Sequence, residues 1–153
     1  EVEDMLKVPE KLFNREFEEV EIGISTMSFF PKDNLEKEQI GYGYDQGTAK
    51  PTWFGKEFVV IGKDLNQGDP IIAKVDETEI PVFTMFNNDK ASVEKVADSF
   101  EQYMGVLGMI KKTDLYRRDK INDLLDEIEA IVPENSLYYW EELINSAYDY
   151  LVD

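Results

Sequence analysis

Carboxylates make up most of the residues in this chain that could do chemistry. The 153 residues include 33 Asp and Glu but no His and no Cys. Without His the chain lacks the usual general base near neutral pH and the commonest transition-metal ligand. Without Cys it lacks thiolate nucleophiles and Cys-based zinc sites. Ser-His-Asp and Cys-His catalysis are therefore excluded, which leaves carboxylate chemistry, Lys chemistry or no chemistry.

Four of these carboxylates recur at helical spacing. Asp119, Asp123, Asp126 and Glu127 share one face of a predicted helix and could hold magnesium, as in some helical nucleotide hydrolases. However, the apolar residues of the same helix lie on the opposite face, which makes these acids the solvent-exposed side of an amphipathic helix. We therefore expect no metal, cofactor or catalytic residue, and a magnesium-dependent hydrolase stays as an alternative.

Two glycine-containing loops have partial features of known ligand-binding loops. "DLNQGD" (residues 64–69) superficially resembles a calcium loop, but Gly68 falls at position 5 and Val75 at position 12, where an EF-hand needs an oxygen ligand and Glu. "GYGYDQG" (residues 41–47) has its third Gly one residue too late for a dinucleotide-binding loop. The first loop is interpreted as a turn. The second offers exposed aromatic residues for contact, with core packing as the alternative.

The charge restricts the partners. The formal net charge is -17, so direct binding to nucleic acid or to an anionic membrane is not expected, and a basic protein would be steered inward. Residues 111–120 carry five bases and two acids, whereas the residues after Lys120 carry nine acids and no base. This asymmetry predicts a distinct acidic C-terminal face. No apolar run approaches the roughly 20 residues that span a bilayer, and no signal-peptide pattern is present, so we expect a cytoplasmic protein.

The periodicity predicts the elements that must position these groups. Residues 1–20 are predicted to be helical and residues 20–30 to form one strand ending before Pro31. Residues 52–62, 69–75 and 79–86 are strand-like runs joined by short turns, which favours antiparallel hairpins. The remaining helices are predicted from an N-cap at Ser92, over residues 121–131 and from about Ser136, and Gly105 and Gly108 are expected to weaken the end of the first.

These elements predict one α+β domain over residues 1–153. An antiparallel, possibly mixed, sheet is covered by helices. Residues 1–110 supply a helix, the sheet and the next helix, and residues 111–153 form a helical extension packed on them.

Residues 39–107 resemble the SUKH superfamily, which contains the fungal Smi/Knr cell-wall regulators and many bacterial immunity proteins. The resemblance is carried by Trp53 before a strand and then, in order, by Ile61-Gly62, Gly68-Asp69, Pro81-Val82 and Ala97-Asp98-Ser99-Phe100. It implies an α+β domain without a catalytic constellation. Many bacterial members neutralise secreted toxins, often nucleases, that are encoded beside them.

The sequence therefore favours a non-catalytic binding protein, similar to immunity proteins and antitoxins, that occludes a basic toxin domain stoichiometrically. A regulatory adaptor of the same fold, with possible homo-oligomerisation through the C-terminal helices, is the alternative. Aromatic residues are favoured anchors of interfaces, and carboxylates oppose basic surfaces. The candidate partner-binding residues are Tyr42, Tyr44, Trp53, Asp123, Asp126, Glu127, Glu141 and Glu142.

Overall fold

A computed structural model describes residues 7–86 and 89–152. Within these residues, six strands form one sheet in which each strand pairs antiparallel with the next along the chain. Three α-helices follow, so the predicted α+β class is confirmed. The strands are β1 (Glu19–Ile22), β2 (Ser25–Phe29), β3 (Phe58–Asp64), β4 (Pro70–Lys74), β5 (Val82–Thr84) and β6 (Glu94–Ala97). The helices are α1 (Phe100–Lys111), α2 (Arg118–Glu129) and α3 (Leu137–Val152).

The prediction of one strand over residues 20–30 is wrong, because this stretch folds into a hairpin of two strands, β1 and β2. Gly23, with a φ of 63°, and Ile24 form a two-residue turn between β1 and β2. Tight hairpin turns need a positive φ at the first central position, which Gly adopts at little cost. The turn changes which residues face inward, since Val20 and Ile22 are buried before it and Met27 and Phe29 after it. A single strand over residues 20–30 would place Ile24 on the same face as Val20 and Ile22, but Ile24 is exposed.

The prediction of a helix over residues 1–20 is also wrong for the part of this range that the structure describes. Residues 1–6 lie outside the described residues, and from Lys7 to Glu18 the only helical segment is a short 3-10 turn at Glu10–Phe13. The guanidinium of Arg15 donates to the carbonyls of Leu12 and Phe30 at 3.2 and 3.1 Å. The Leu12 carbonyl therefore bonds to a side chain instead of the next turn of a helix. The segment is irregular and packs on the core through the fully buried side chain of Leu12.

The first helix after the sheet begins seven residues later than predicted, because its N-cap is Ser99 and not Ser92. Ser92 ends a short 3-10 turn, and residues 94–97 form β6 instead. The N-cap of α1 is Ser99, whose hydroxyl accepts from the Gln102 amide at 3.0 Å, while Gln102 Oε1 accepts from the Asp98 amide at 2.8 Å. Ser99-x-x-Gln102 has the sequence of a capping box, although Gln102 bonds to the residue before the N-cap, and these two bonds fix where α1 begins.

The two C-terminal helices lie close to their predicted positions. Ile121, Leu124 and Ile128 of α2 are buried, as are Trp140 and Ile144 of α3. Ile131, assigned to the apolar face of α2, lies beyond its end and is exposed. Gly105 and Gly108 do not interrupt α1, which continues to Lys111.

The sheet curls so that α1 contacts both edge strands, β1 and β6, while α3 also packs on β1. Gly23 allows this approach, because a Cβ at that position would lie 2.5 Å from the Cα of Ala147 in α3. The loop between β2 and β3 covers further sheet surface, since Phe54 contacts Phe58, and Phe58 contacts Phe83. Buried Gln39 in this loop exchanges hydrogen bonds of 2.7 and 2.8 Å with the backbone of Val60.

Candidate partner-binding site

A cavity of about 250 Å³ lies where the β3–β4 turn meets the start of β6 and the N-terminal half of α3. We call it the acidic pocket. Four carboxylates line it, two from the β3–β4 hairpin, one from β6 and one from α3. These are Asp64, Asp69, Glu94 and Glu142. Aromatic side chains complete its walls, namely Phe86, Tyr138 and Tyr139, and the other lining residues are Ser25, Gln67, Leu143 and Ser146.

The β3–β4 turn sets the position of the first two carboxylates. Asp64 ends β3, and its Oδ1 accepts from the amides of Asn66 and Gln67 at 2.9 and 3.3 Å. Its Oδ2 accepts from the Ser25 hydroxyl at 3.3 Å, which ties the turn to β2. Asp64 therefore reverses the chain, as the turn interpretation predicts, and also forms part of a pocket wall. Asp69 follows the turn directly and precedes β4.

The β3–β4 hairpin reaches the pocket through a bulge in β3. The pairing of β3 with β4 shifts register between Val60 and Gly62. Gly62 is required there, because a Cβ would lie 2.4 Å from the carbonyl oxygen of Ser28. Bulges bend a strand and re-aim the residues beyond them. Here the residues beyond the bulge are Lys63 and Asp64.

The pocket is electrostatically uncompensated. Burial, followed by the charge of Asp64, raises the pKa of Asp69, and burial raises the pKa of Glu94. No Lys or Arg is among the described residues that line the pocket. Carboxylates that are partly withdrawn from water and have no cation beside them gain from an arriving positive charge. The arrangement is therefore suited to binding a cationic group.

The aromatic walls are suited to the same kind of ligand. Phe86 and Tyr138 are 43% and 66% exposed, so their rings are accessible from solvent at the mouth of the pocket. Tyr139 packs edge-on against Trp140 and its hydroxyl lies 3.2 Å from that of Tyr103. Burial raises the pKa of Tyr139, so its phenol remains neutral near pH 7. Ring faces attract ammonium and guanidinium groups, and they cover the apolar stems of Lys and Arg.

The structure places the predicted acidic residues around more than one cavity, and their role in partner binding stays a prediction. Glu142 lies in the acidic pocket, whereas Asp123 and Glu127 line a separate groove between α1 and α2 together with Lys112 and Lys120. Lys120 and Asp123 are three residues apart on a helix and therefore share a face. Asp123 and Glu127 thus share this groove with two lysines and with Asp114. Asp126 is exposed on α2, and Glu141 is half-buried on α3.

The predicted loop aromatics are not among the described residues that line this cavity. Trp53 packs on Phe54 and Phe58, with ring centroids 4.6 and 5.8 Å apart, and the Lys90 ammonium lies 5.5 Å from its ring. Tyr42 also contacts Phe54, and burial is the main cause that raises its pKa. Tyr44 is half-buried in the same loop, and its carbonyl accepts from the Gly41 amide. Trp53 and Tyr42 thus take part in the packing that covers the sheet.

The remaining predictions from the sequence concern metal binding and membrane-spanning helices. Asp119, Asp123, Asp126 and Glu127 are all exposed on α2, as the amphipathic pattern predicts. Across residues 7–86 and 89–152, no group of three or more Asp and Glu is arranged to hold a metal ion. None of the helices in those same ranges is long and apolar enough to cross a membrane.

Sequence reasoning missed Asp69, Glu94, Phe86 and Tyr138 because they come from the β3–β4 turn, the β5–β6 region and α3. No spacing rule connects them, since the hairpins and α3 bring them together only in the folded chain. One signal was available. Glu94 lies in a β-rich stretch before the capping box at Ser99, and a strand assignment there would have placed it on the sheet.

We compared the chain with models of known protein families, with characterised proteins and with solved structures, and none of them matches. The resemblance to the SUKH superfamily therefore stays a prediction from the residues quoted above.

Proposed function

We propose that this protein is a non-catalytic binding protein that neutralises a basic toxin domain, such as a nuclease, by occluding it one to one in the cytoplasm. The observation that carries the proposal is the acidic pocket, in which Asp69 and Glu94 have raised pKa values and whose described lining includes no Lys or Arg. The net charge of -17 and the resemblance to SUKH immunity proteins support it.

The pocket gives the proposal a physical mechanism. A basic nuclease exposes Lys and Arg where it binds phosphate, and one such side chain in the acidic pocket would place a positive charge beside Asp69 and Glu94. The aromatic walls would cover its apolar stem. Overall charge would accelerate encounter, so the association rate should fall steeply as salt is raised.

Co-expression tests this proposal directly. The toxin encoded beside this gene should kill cells when expressed alone and leave them viable when the two proteins are expressed together. An Asp69→Asn, Glu94→Gln variant should protect less than the matched Asp123→Asn, Glu127→Gln variant, although both lose two charges. Killing that is as fast with the wild-type protein as without it would rule the proposal out.

A regulatory adaptor that self-associates through α3 is the second candidate. Tyr150 and Val152 at the end of α3 are 55% and 47% exposed, and exposed apolar residues of this size favour association. Light scattering over a range of protein concentrations decides between the candidates. A dimer that Tyr150→Ser dissociates would support the adaptor, and a monomer throughout would count against it.

A further inference from the structure

Strand β1 is an edge of the sheet, since it pairs with β2 on one side only. The amide of Phe29 donates to the carbonyl of Glu18 at 2.9 Å, which shows that this directly opposed pair is hydrogen-bonded. In an antiparallel ladder such pairs alternate, so Val20 and Ile22 also point their backbone groups at β2. The backbone groups of Glu19 and Glu21 therefore point outward, and among the described residues none forms a hydrogen bond with them.

The outward side of β1 borders a cavity and not a packed element. The cavity, of about 570 Å³, separates β1 from the connection between α1 and α2. Its lining includes the apolar side chains of Leu115, Tyr116 and Leu151, together with one oppositely charged pair of residues, Lys111 and Asp114. A further strand would lie about 4.8 Å from β1, at the edge of this space. An open edge beside an apolar groove is the arrangement by which domains accept an extended peptide as an added strand.

The side chains of β1 specify the occupant. Glu19 and Glu21 are exposed, while Val20 and Ile22 between them are buried. An incoming strand would place alternate side chains beside these two carboxylates, where Lys or Arg pairs favourably. The intervening side chains would point towards Leu115 and Leu151, where apolar residues fit. A second copy of β1 would instead set Glu against Glu, which is unfavourable.

We propose that β1 is a strand-addition site for an extended segment of a basic partner in which Lys or Arg alternates with apolar residues. The site is separate from the acidic pocket and would add a second point of contact. It does not depend on the partner being a toxin. Backbone hydrogen bonds at Glu19 and Glu21 would hold the segment, and the alternating side chains would select it.

A synthetic peptide tests the site without any toxin, so its failure would leave the proposed function standing. The probe is a nine-residue peptide of alternating Lys and Val, and the control is the same peptide with Glu in place of Lys. NMR of the ¹⁵N-labelled protein should show slower amide exchange at Glu19 and Glu21 with the Lys peptide. The Glu peptide should give no such slowing. Equal slowing with both peptides, or none with either, would overturn the proposal.

Variants separate backbone pairing from charge attraction. Glu21→Pro removes one outward N–H without touching the ladder to β2 and should abolish slowing at Glu19. N-methylation of alternate peptide residues should do the same and leaves the protein unchanged. Glu21→Lys should weaken the Lys peptide about fivefold, the upper range for one cross-strand charge pair. Slowing that grows with protein concentration alone would show a second copy on the edge and would also overturn the proposal.

Discussion

The acidic pocket and the groove between α1 and α2 both contain carboxylates, but they differ in how these are surrounded. In the groove, Asp123 and Glu127 lie with Lys112 and Lys120, and both acids are exposed. In the pocket, Asp64 and Asp69 come from the β3–β4 hairpin, Glu94 from β6 and Glu142 from α3, and no Lys or Arg is among the described residues that line it. The groove therefore has two lysines beside its three acids, since Asp114 also lines it, whereas the described lining of the pocket has no basic residue.

The number of acidic residues in a region of the chain is therefore a poor guide to where a basic partner binds. Acids that follow one another on a helix remain in water, where the energy of each pairing is small. Acids that the fold withdraws from water without a partner have raised pKa values, and a bound cation would relieve that cost. The strongest attraction for a basic partner is therefore expected in the pocket.

Charge reversal should give the largest difference between the two regions. Asp69→Lys with Glu94→Lys should weaken binding of a basic partner about 100-fold, because two cations would replace the groups that face it. The matched change, Asp123→Lys with Glu127→Lys, should cost less than about fivefold, the usual size for exposed charges. Calorimetric titration at fixed salt measures both. Equal losses from the two pairs would remove the distinction.

Removing a carboxylate should also affect folding differently in the two regions. Asp64→Ala deletes the acceptor of the Asn66 and Gln67 amides and should lower the free energy of unfolding by about 2 kcal/mol. Asp123→Ala, on the exposed side of α2, should change it by less than about 0.5 kcal/mol. Urea denaturation checks both values. Asp64→Asn keeps the Oδ1 acceptor and should lose less than Asp64→Ala.

The smallest expected effect is on the pH dependence of stability, and its sign differs between the regions. Asp69 and Glu94 have raised pKa values in the folded protein, so the folded state binds more protons than the unfolded state between the two pKa values. Their ionisation therefore removes stability as the pH rises through the folded pKa. Asp69→Asn with Glu94→Gln should stabilise the protein at pH 7, on the order of 0.5 kcal/mol after screening, with no gain below about pH 4.

Asp119 on α2 provides the opposite case. Hydrogen bonds from Arg117 lower its pKa in the folded protein. Its contribution is therefore present above the unfolded pKa and is lost as the pH falls through the folded pKa. Asp119→Asn should reduce stability at pH 7, by an amount that disappears in acid. Thermal unfolding at several pH values measures both slopes, and slopes of the same sign would contradict the assigned surroundings.

Local patterns predicted much of the fold. The runs that became β3, β4 and β5 have strong β propensity and turn residues between them, and α2 and α3 have clear apolar stripes. The errors fall where a tertiary contact decides the structure. Gly23 forms a turn although the alternation of apolar and polar residues continues past it. Arg15 bonds to the Leu12 carbonyl, which a longer helix would use for its own backbone hydrogen bond. Neither contact leaves a periodic signal.

The site was less predictable than the fold, for a related reason. Glu142 was selected from the acidic C-terminal region, but Asp69 and Glu94 gain their significance from burial and from the absence of a neighbouring base in the pocket. Both properties depend on packing between distant segments. Charge counts along the chain report composition, and they do not report which charges lose their water.

The central claim is that the acidic pocket is where a cation of the partner binds. Titration of the ¹⁵N-labelled protein with N-acetyl-arginine methylamide tests it by NMR. The account predicts shift changes centred on the amides of Glu94, Tyr138 and Tyr139, which Asp69→Asn with Glu94→Gln should remove. Changes centred on Asp123 and Glu127 of α2, or changes at the pocket that this variant leaves intact, would contradict it.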